Sequence, residues 1–305
     1  MQIALSRPVP SKREIVKKKR EALRDNAILV PVYLWFSLVI TLPTIMGYIL
    51  SFTEWNGLAG LPVFVGLKNY LTFFGSKGYM SSLYKTVIIG GLTFVLTFVL
   101  SFFMGLSLNM PFKGRGIFRT VLYLPSVITV TVSSSVLLAL IVTVSGVINN
   151  ALKTMGLQPV IWSYSAFWKT FRIVAYTVWK GVGFNALIWL GGLQSIQPQL
   201  YEAARIDGAN RLQELLFITL PGLRSYTSYI AIIGLIYSMQ IFDAVFLISR
   251  GGPQGATDVI MYKIYNDGRI GFNFGMAGAS SLIVGTVIIL ITLVSMKISD
   301  GREAK

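Results

Sequence analysis

The sequence predicts an all-α polytopic membrane protein with six transmembrane helices. Hydrophobic residues make up 54% of the 305-residue chain, whereas charged residues make up only 13%. The uncharged runs reach the length of roughly 20 residues that a helix needs to cross a bilayer. Lysines and arginines flank these runs, and no motif for reading nucleic acid occurs. The formal net charge of +15 therefore indicates membrane orientation rather than nucleic-acid binding.

Polar segments bound the apolar runs and define the predicted domains. We predict a basic cytoplasmic segment over residues 1–26, a transmembrane domain over 27–296 and a cytoplasmic tail over 297–305. Ser11 and Glu14 form a capping-box pattern, which favours a short surface helix. The first apolar run is longer than a signal-peptide core and lacks a cleavage site, so we read it as a span. The predicted spans cover residues 27–52, 86–108, 121–144, 170–193, 226–249 and 275–296.

The distribution of basic residues predicts the side that each loop faces. With both termini in the cytoplasm, cytoplasmic segments hold seventeen lysines and arginines, eight of them in residues 1–26. Outer segments then hold eight. Because positive charge concentrates on the cytoplasmic side of membrane proteins, we predict that the N-terminus and the C-terminus are both inside. The loop over residues 194–224 would then face the cytoplasm.

Several kinds of chemistry are excluded by missing residue types. The chain has no cysteine and no histidine, which excludes disulfides, thiolate or imidazole catalysis and the usual zinc sites. No Gly-x-x-x-x-Gly-Lys-Ser/Thr loop is available to hold a nucleotide phosphate. We expect no catalytic site, no metal site and no cofactor bound by this chain.

The loop over residues 194–224 reads as two short helices joined at a glycine. Pro198 suits the first position of a helix, and Gly208 suits the left-handed residue after a helix end. The first helix is therefore predicted from 198 to 207. Asn210 and Gln213 form a capping box for a second helix, which Pro221 ends.

Residues Glu202 to Ala209 read Glu-Ala-Ala-Arg-Ile-Asp-Gly-Ala, and a further twelve residues end in Ile-Thr-Leu-Pro. This pattern resembles the cytoplasmic EAA loop of binding-protein-dependent ABC importer permeases. The resemblance implies the type I ABC importer permease fold and a loop that docks on a separate ATPase subunit. Small alanines would let another backbone approach closely, beside an aromatic anchor and a charge. The residues implied in ATPase coupling are Tyr201, Glu202, Ala203, Ala204, Asp207 and Gly208.

Other segments are similar to the carbohydrate-uptake subfamily of these permeases. The loop that begins Gly-Gly-Pro resembles the first of the two permease subunits. Gln197 departs from the family pattern by lengthening the approach to the first loop helix by one residue. The similar segments are residues 50–56, 64–70, 179–185, 191–198, 242–243 and 251–257.

The resemblance also implies the partners. They are a second homologous permease subunit, two ATP-binding subunits that hold ATP and Mg, an extracytoplasmic solute-binding protein and the lipid of the inner membrane, with no nucleic acid. The chain would supply half of the translocation pathway for an oligosaccharide. Outer loops carry eight basic residues, which could favour an acidic oligosaccharide or an acidic surface on the solute-binding protein. The open alternatives are an ion-coupled secondary carrier without an ATPase and an ABC permease for a non-sugar solute.

A path for sugars needs aromatic rings beside amides and hydroxyls, and the fourth and fifth spans offer both.

Charges inside a span must face protein or water, so Lys180 and Asp243 either pair or line the path, and we favour a structural or gating role for them. Arg172 is predicted to snorkel to the outer surface. Interfacial or packing roles would explain the same aromatic residues. The candidate path residues are Tyr176, Trp179, Lys180, Asn185, Trp189, Tyr229, Tyr237, Gln240 and Asp243.

Overall fold

The computed structural model describes residues 29–58, 60–141, 146–162 and 164–303, with side chains to residue 298. The predicted surface helix at Ser11–Glu14 lies outside the described residues. The helices are α1 (Leu29–Ser51), α2 (Lys68–Gly75), α3 (Lys77–Asn109), α4 (Arg115–Val127), α5 (Val130–Ile141), α6 (Val147–Thr154), α7 (Ala166–Ser195), α8 (Pro198–Ile206), α9 (Arg211–Gly222), α10 (Arg224–Met239), α11 (Asp243–Ile248), α12 (Ile260–Tyr265) and α13 (Phe274–Glu303). A π-helical turn, Asn266–Ile270, continues α12. One antiparallel pair, β1 (Thr53–Glu54) with β2 (Val63–Phe64), lies between α1 and α2.

The predicted all-helical membrane fold is confirmed. Among the described residues, α1, α3, α7 and α13 are each long and apolar enough to cross a membrane. If each of two bent helix pairs is counted as one span, the number of possible membrane spans rises to six. The prediction of six spans is compatible with this arrangement, but two of those spans differ in shape from the predicted single helices.

The region of the predicted third span, 121–144, is a bent pair of helices rather than one straight helix. The polypeptide forms α4 and α5, which meet at an angle of 104°. Pro125 lacks a backbone N–H, and Ile128 is extended with φ −63° and ψ 137°, so the helical hydrogen-bonding pattern stops there. Residues 142–144 of the predicted span lie outside the described part of the chain.

The region of the predicted fifth span, 226–249, is likewise two helices rather than one. Helix α10 ends at Met239, and the separate helix α11 begins at Asp243. The carboxylate of Asp243 therefore lies in the first turn of α11, where the exposed N–H groups favour a negative charge. At its other end, α10 meets α9 at 68°.

Helix α7 is the central element of the fold. It packs most extensively on α3 and also against α4, and its buried side chains join residues of α11 and the loop after it in the main apolar cluster. Glycines allow the closest approaches. A Cβ on Gly183 would lie 1.7 Å from the carbonyl oxygen of Leu122, whereas one on Gly191 would meet nothing within 4 Å. The contact at Gly183 therefore indicates a role in close helix packing.

Helix α1 lies at the edge of the fold. It packs on α13, yet no side chain from Leu29 to Leu50 is buried. Its apolar surface is therefore available to lipid or to another subunit.

Replacing Gly183 with Ala is expected to force α4 and α7 apart, because the new methyl group overlaps the Leu122 carbonyl. The free energy of unfolding should fall by about 1–3 kcal/mol or more. Thermal unfolding of the purified protein in detergent measures this loss. Gly191→Ala, in the same helix but facing open space, is the matched control; equal melting of the two variants would contradict the packing role.

Candidate functional site

The loop between α7 and α10 has the predicted two-helix form. Helix α8 begins at Pro198, so the extra residue Gln197 lies just before the helix and acts as its N-cap. Gly208 has φ +82°, the left-handed conformation that a helix end needs. The Asn210 side chain accepts from the Gln213 backbone at 3.0 Å, and the Gln213 side chain accepts from the Asn210 backbone at 2.8 Å. The predicted hinge and capping box are thus present.

Two side-chain contacts hold α8 and α9 together across this hinge. Arg205 Nε donates to Glu214 Oε1 at 2.7 Å. The hydroxyls of Tyr201 and Thr219 form a hydrogen bond at 3.0 Å. The two helices therefore form one V-shaped unit around Gly208.

The outer surface of this unit combines small and apolar side chains. Of the six predicted coupling residues, Glu202, Ala203, Asp207 and Gly208 are exposed, while Tyr201 and Ala204 are half-buried. The Tyr201 hydroxyl bonds Thr219 of α9, so this side chain makes a contact within the loop as well as presenting part of its surface outside. A hollow of about 260 Å³ lies in the V, and the residues lining it are Ala204, Asp207, Gly208, Ala209, Gln213, Glu214, Phe217 and Ile218.

Sequence reasoning missed the largest exposed apolar side chains of the unit. Ile206 is 86% exposed and Phe217 is 74% exposed. Leu200, Leu212 and Leu216 of the same unit are exposed as well, and a group of exposed apolar side chains is a signal for a docking surface.

A second concave site lies within the helical bundle. It is a cavity of about 540 Å³ between α3, α4, α7, α10 and α11. Its size is typical of pockets for small ligands. Aromatic rings, hydroxyls and amides all reach it, together with one ammonium and one carboxylate.

The cavity brings together six of the nine predicted path residues. Helix α7 contributes three of them, and the segment around the α10–α11 break contributes the other three. Exposed Tyr237, Gln240 and Asp243 form one wall of the cavity as a result of that break. The six residues are Tyr176, Lys180, Asn185, Tyr237, Gln240 and Asp243.

The remaining three candidates lie elsewhere. Trp189 is 1% exposed; it donates from Nε1 to Ser101 Oγ at 3.1 Å and packs on Phe98 and Phe102. Trp179 and Tyr229 are exposed and do not line the cavity. The structure therefore gives Trp189 a packing role, although Asn185 one turn earlier lines the cavity.

Hydroxyl-bearing residues of α3 and α4 also line the cavity and were not among the predicted candidates. Thr93 and Thr97 are one turn apart on α3, and Tyr123 and Ser126 are one turn apart on α4. Their helical spacing was a usable signal, but only the packing of α3 and α4 beside α7 brings them to the same space.

Lys180 holds the break between α4 and α5. Its Nζ donates to the carbonyl of Ile128 at 2.7 Å and to that of Pro125 at 3.2 Å. No ion pair between Lys180 and Asp243 is found among the described residues. Of the alternatives for Lys180, its contacts favour a structural role over pairing with Asp243.

The prediction that Arg172 snorkels to the surface is wrong. Its side chain is only 2% exposed, and Nη2 donates to the Ile248 carbonyl at 3.2 Å. This carbonyl lies at the C-terminal end of the short helix α11, which favours a positive charge. The guanidinium therefore bonds to α11 instead of extending to the surface.

The segment that begins Gly251-Gly-Pro is an ordered turn between α11 and α12. Thr257 Oγ1 bonds Ser249 Oγ at 2.8 Å and the Gly252 carbonyl at 2.9 Å. Lys85 donates to the Gly255 carbonyl at 2.7 Å, and Ser82 donates to Asp258 at 3.3 Å. Burial raises the pKa of the Asp258 carboxyl above its ordinary value. Contacts from α3 therefore fix this turn to the body of the protein.

Comparison with known proteins identifies the family. The family described as binding-protein-dependent transport system inner membrane component matches residues 98–302. The chain belongs to this family. It is thus a multi-pass inner membrane component of a transport system that uses a binding protein.

Curated relatives cover nearly the whole permease. It is 30% identical over 286 residues to the trehalose/maltose transport system permease protein MalF of Thermococcus litoralis, covering 94% of this chain and 97% of that protein. It is 32% identical over 300 residues to the probable ABC transporter permease protein YesP of Bacillus subtilis, covering 94% and 95%. The sn-glycerol-3-phosphate transport system permease protein UgpA of Agrobacterium fabrum is 28% identical over 242 residues, covering 78% and 82%.

Solved structures confirm the type I ABC importer permease fold. One chain of a bacterial ABC transporter involved in the import of the acidic polysaccharide alginate superposes with a TM-score of 0.83 at 26% identity, covering 94% of this permease and 98% of that chain. A chain of the bacterial alginate ABC transporter in complex with alginate pentasaccharide-bound periplasmic protein gives a TM-score of 0.82 at 25% identity, covering 93% and 96%.

Replacing Lys180 with Met should destabilise the permease, because it leaves the carbonyls of Pro125 and Ile128 without their donor. We expect a loss of about 1–3 kcal/mol for each unsatisfied group, observed as a lower melting temperature of the purified protein. Asp243→Asn is the matched control and should melt like the parent. If Asp243→Asn were as destabilising as Lys180→Met, the two charges would have to act as a pair.

Proposed function

We propose that this permease is one of two homologous permease subunits of an ATP-driven importer, the first of the two, and that it forms half of the pathway for an oligosaccharide. The central cavity carries this proposal. It combines the exposed rings of Tyr123 and Tyr237 with the amides of Asn185 and Gln240, whereas Tyr176 is buried in the cavity wall with its hydroxyl bonded to Ser133. Such a surface suits sugar rings, which present apolar faces and hydroxyl edges.

The solute class is supported by the relatives as well as by the cavity. Trehalose and maltose appear in the name of one relative, and alginate in the descriptions of two similar structures. A glycerol phosphate permease is similar over a smaller share of the chain, so a non-sugar solute is the weaker alternative. Family membership argues against a secondary carrier, because this family works with a binding protein.

The loop unit of α8 and α9 is proposed to receive the motion of the ATPase. The exposed alanine and glycine surface beside Glu202 would fit a cleft on an ATP-binding subunit, with Ile206 and Phe217 as apolar anchors. ATP and Mg would be held by two such subunits, and the permease itself would catalyse no reaction. The loop and both termini would face the cytoplasm, with the solute-binding protein on the opposite side.

Transport would follow alternating access. Closure of the ATPase subunits would move the α8–α9 unit, and with it the cytoplasmic ends of α7 and α10. Because α7 and α10 also line the cavity, their displacement would open it to a docked solute-binding protein. Exposed apolar helices such as α1 would contact lipid or the second permease.

Reconstitution tests the proposed function directly. The permease is purified with its partner permease and ATPase subunits, placed in liposomes and supplied with solute-binding protein. A binding protein loaded with oligosaccharide should stimulate ATP hydrolysis and sugar uptake. Uptake by this permease without ATPase subunits would disprove the proposal.

Replacing Gly208 with Val should uncouple ATP hydrolysis from uptake. No neighbour lies within 4 Å of a Cβ at this position, so the effect comes from forcing a β-branched residue into the left-handed conformation. That strain costs about 1–2 kcal/mol and would distort the V of α8 and α9. We expect uptake in the reconstituted importer to fall about tenfold while hydrolysis continues.

Two controls sharpen this test. Gly208→Asn should retain coupling, because Asn tolerates the left-handed conformation. Gly156→Val introduces similar strain at φ +76° between α6 and α7 and should leave coupling unchanged. Undiminished uptake in Gly208→Val would argue against the hinge.

A further inference from the structure

Two arginines of α4 converge on one neutral oxygen at the end of α7. In the amide orientation that hydrogen bonding requires, Gln194 Oε1 accepts from Arg115 Nη2 at 3.0 Å and from Arg119 Nη2 at 3.3 Å. The two Nη2 atoms are therefore within about 6.3 Å of each other. Like charges at this distance repel, so an arrangement that holds them together suits an anion.

The two guanidinium groups also keep unused hydrogen-bonding capacity. Within the part of the chain that the structure describes, neither of them forms an ion pair. The Nε atoms of both are buried from solvent without an acceptor. Arginine forks match the planar geometry of a carboxylate, which can accept two hydrogen bonds at once. The Gln194 oxygen occupies a place that a carboxylate oxygen could take.

The arginines continue the face of α4 that lines the central cavity. Tyr123 and Ser126 line the cavity, and Arg119 and Arg115 precede Tyr123 by four and eight residues. Residues at this spacing share a helix face. At 1.5 Å per residue, Arg119 lies about 10 Å and Arg115 about 16 Å along the helix from Ser126.

The opposite face of α4 is apolar and exposed at Ile117, Val121 and Leu124. That face is the one available to lipid tails or to another subunit. The arginine side chains instead contact Gln194, which lies at the end of α7 next to the α8–α9 loop. They continue the face of α4 that lines the cavity. Their position favours a dissolved anion leaving the cavity over a lipid headgroup.

We propose that Arg115 and Arg119, with Gln194 beside them, form an anion site that receives the carboxylates of an acidic oligosaccharide between the cavity and the α8–α9 loop. This inference rests on the proposed function and names its solute class. The cavity lining includes one ammonium, Lys180, and one carboxylate, Asp243, so it is electrically balanced. Because the cavity itself carries no net charge, the preference for acidic over neutral sugars depends on Arg115 and Arg119.

The test uses the complete reconstituted importer in liposomes of zwitterionic lipid. The probes are a trisaccharide of uronic acids and the neutral trisaccharide obtained by reducing its carboxyl groups. Arg115→Gln with Arg119→Gln should lower uptake of the acidic probe about tenfold or more. Uptake of the neutral probe and ATP hydrolysis stimulated by loaded binding protein should stay within about twofold of the parent.

Three controls separate charge from structure and from lipid. Arg115→Lys with Arg119→Lys keeps both charges but loses the planar fork, so uptake of the acidic probe should lie between that of the parent and that of the Gln variant. Lys113→Gln removes a nearby exposed charge and should have no effect. Liposomes containing phosphatidylglycerol should give the same ratios as liposomes of zwitterionic lipid.

Each contrary outcome overturns the anion site. Equal loss of both probes would indicate a structural role, and no loss would exclude the arginines from selection. Preference of the parent importer for the neutral probe would exclude the acidic class. An effect that appears only with phosphatidylglycerol would assign the site to lipid. Failure of the proposed function is distinguishable, because the parent importer would then show neither uptake nor stimulated hydrolysis with either probe.

Discussion

The core of a bilayer holds no water that could hydrogen-bond the free backbone groups at a break in a helix. At the centre of this permease, the side chain of Lys180 supplies those hydrogen bonds instead. The break between α4 and α5 places the carbonyls of Pro125 and Ile128 outside a continuous helix, and Lys180 of α7 donates to both. Three residues further along α7, Gly183 lets the backbone of Leu122 come into direct contact. A charged contact and a backbone contact on neighbouring turns thus fix the bent segment to the central helix. Both helices line the cavity, so these contacts set the position of two of its walls.

The same helix that lines the cavity also leads to the loop unit. Helix α7 contributes Lys180 and Asn185 to the cavity and ends at Ser195, just before α8 begins. On the far side of the loop, Leu223 is fully buried in a cluster with Leu193 of α7, so both ends of the loop are held at one point. A V-shaped unit fixed at its base and free at its tip can pass a movement to α7 and α10 together. The arginines at the end of α4 lie beside this base, through their contact with Gln194.

Features of the structure that depend on residues close together in the sequence could be predicted, whereas features that depend on contacts between distant residues could not. The loop was predicted almost to the residue, because Pro198, Gly208 and the Asn210–Gln213 box act within one helical turn. Hydropathy indicated the four long apolar helices, but not the bends elsewhere, since two apolar helices at an angle have the same hydropathy as one straight helix. Pro125 was a local signal for the bend between α4 and α5. The break after Met239 has no comparable signal, and it is this break that turns Asp243 towards the cavity.

The sequence by itself determined the membrane class, the family and the geometry of the loop, because composition, motif and capping are properties of single residues or of near neighbours. Only the tertiary structure decided which candidates line the path. Asn185 and Trp189 are one turn apart on α7, yet Asn185 lines the cavity while Trp189 packs against Phe98 and Phe102. Arg172 lies near the N-terminal end of the same helix, yet it donates to the carbonyl of Ile248 at the end of α11. Whether a side chain meets solute, protein or lipid depends on which neighbouring helix covers it, and that depends on contacts between residues far apart in the chain.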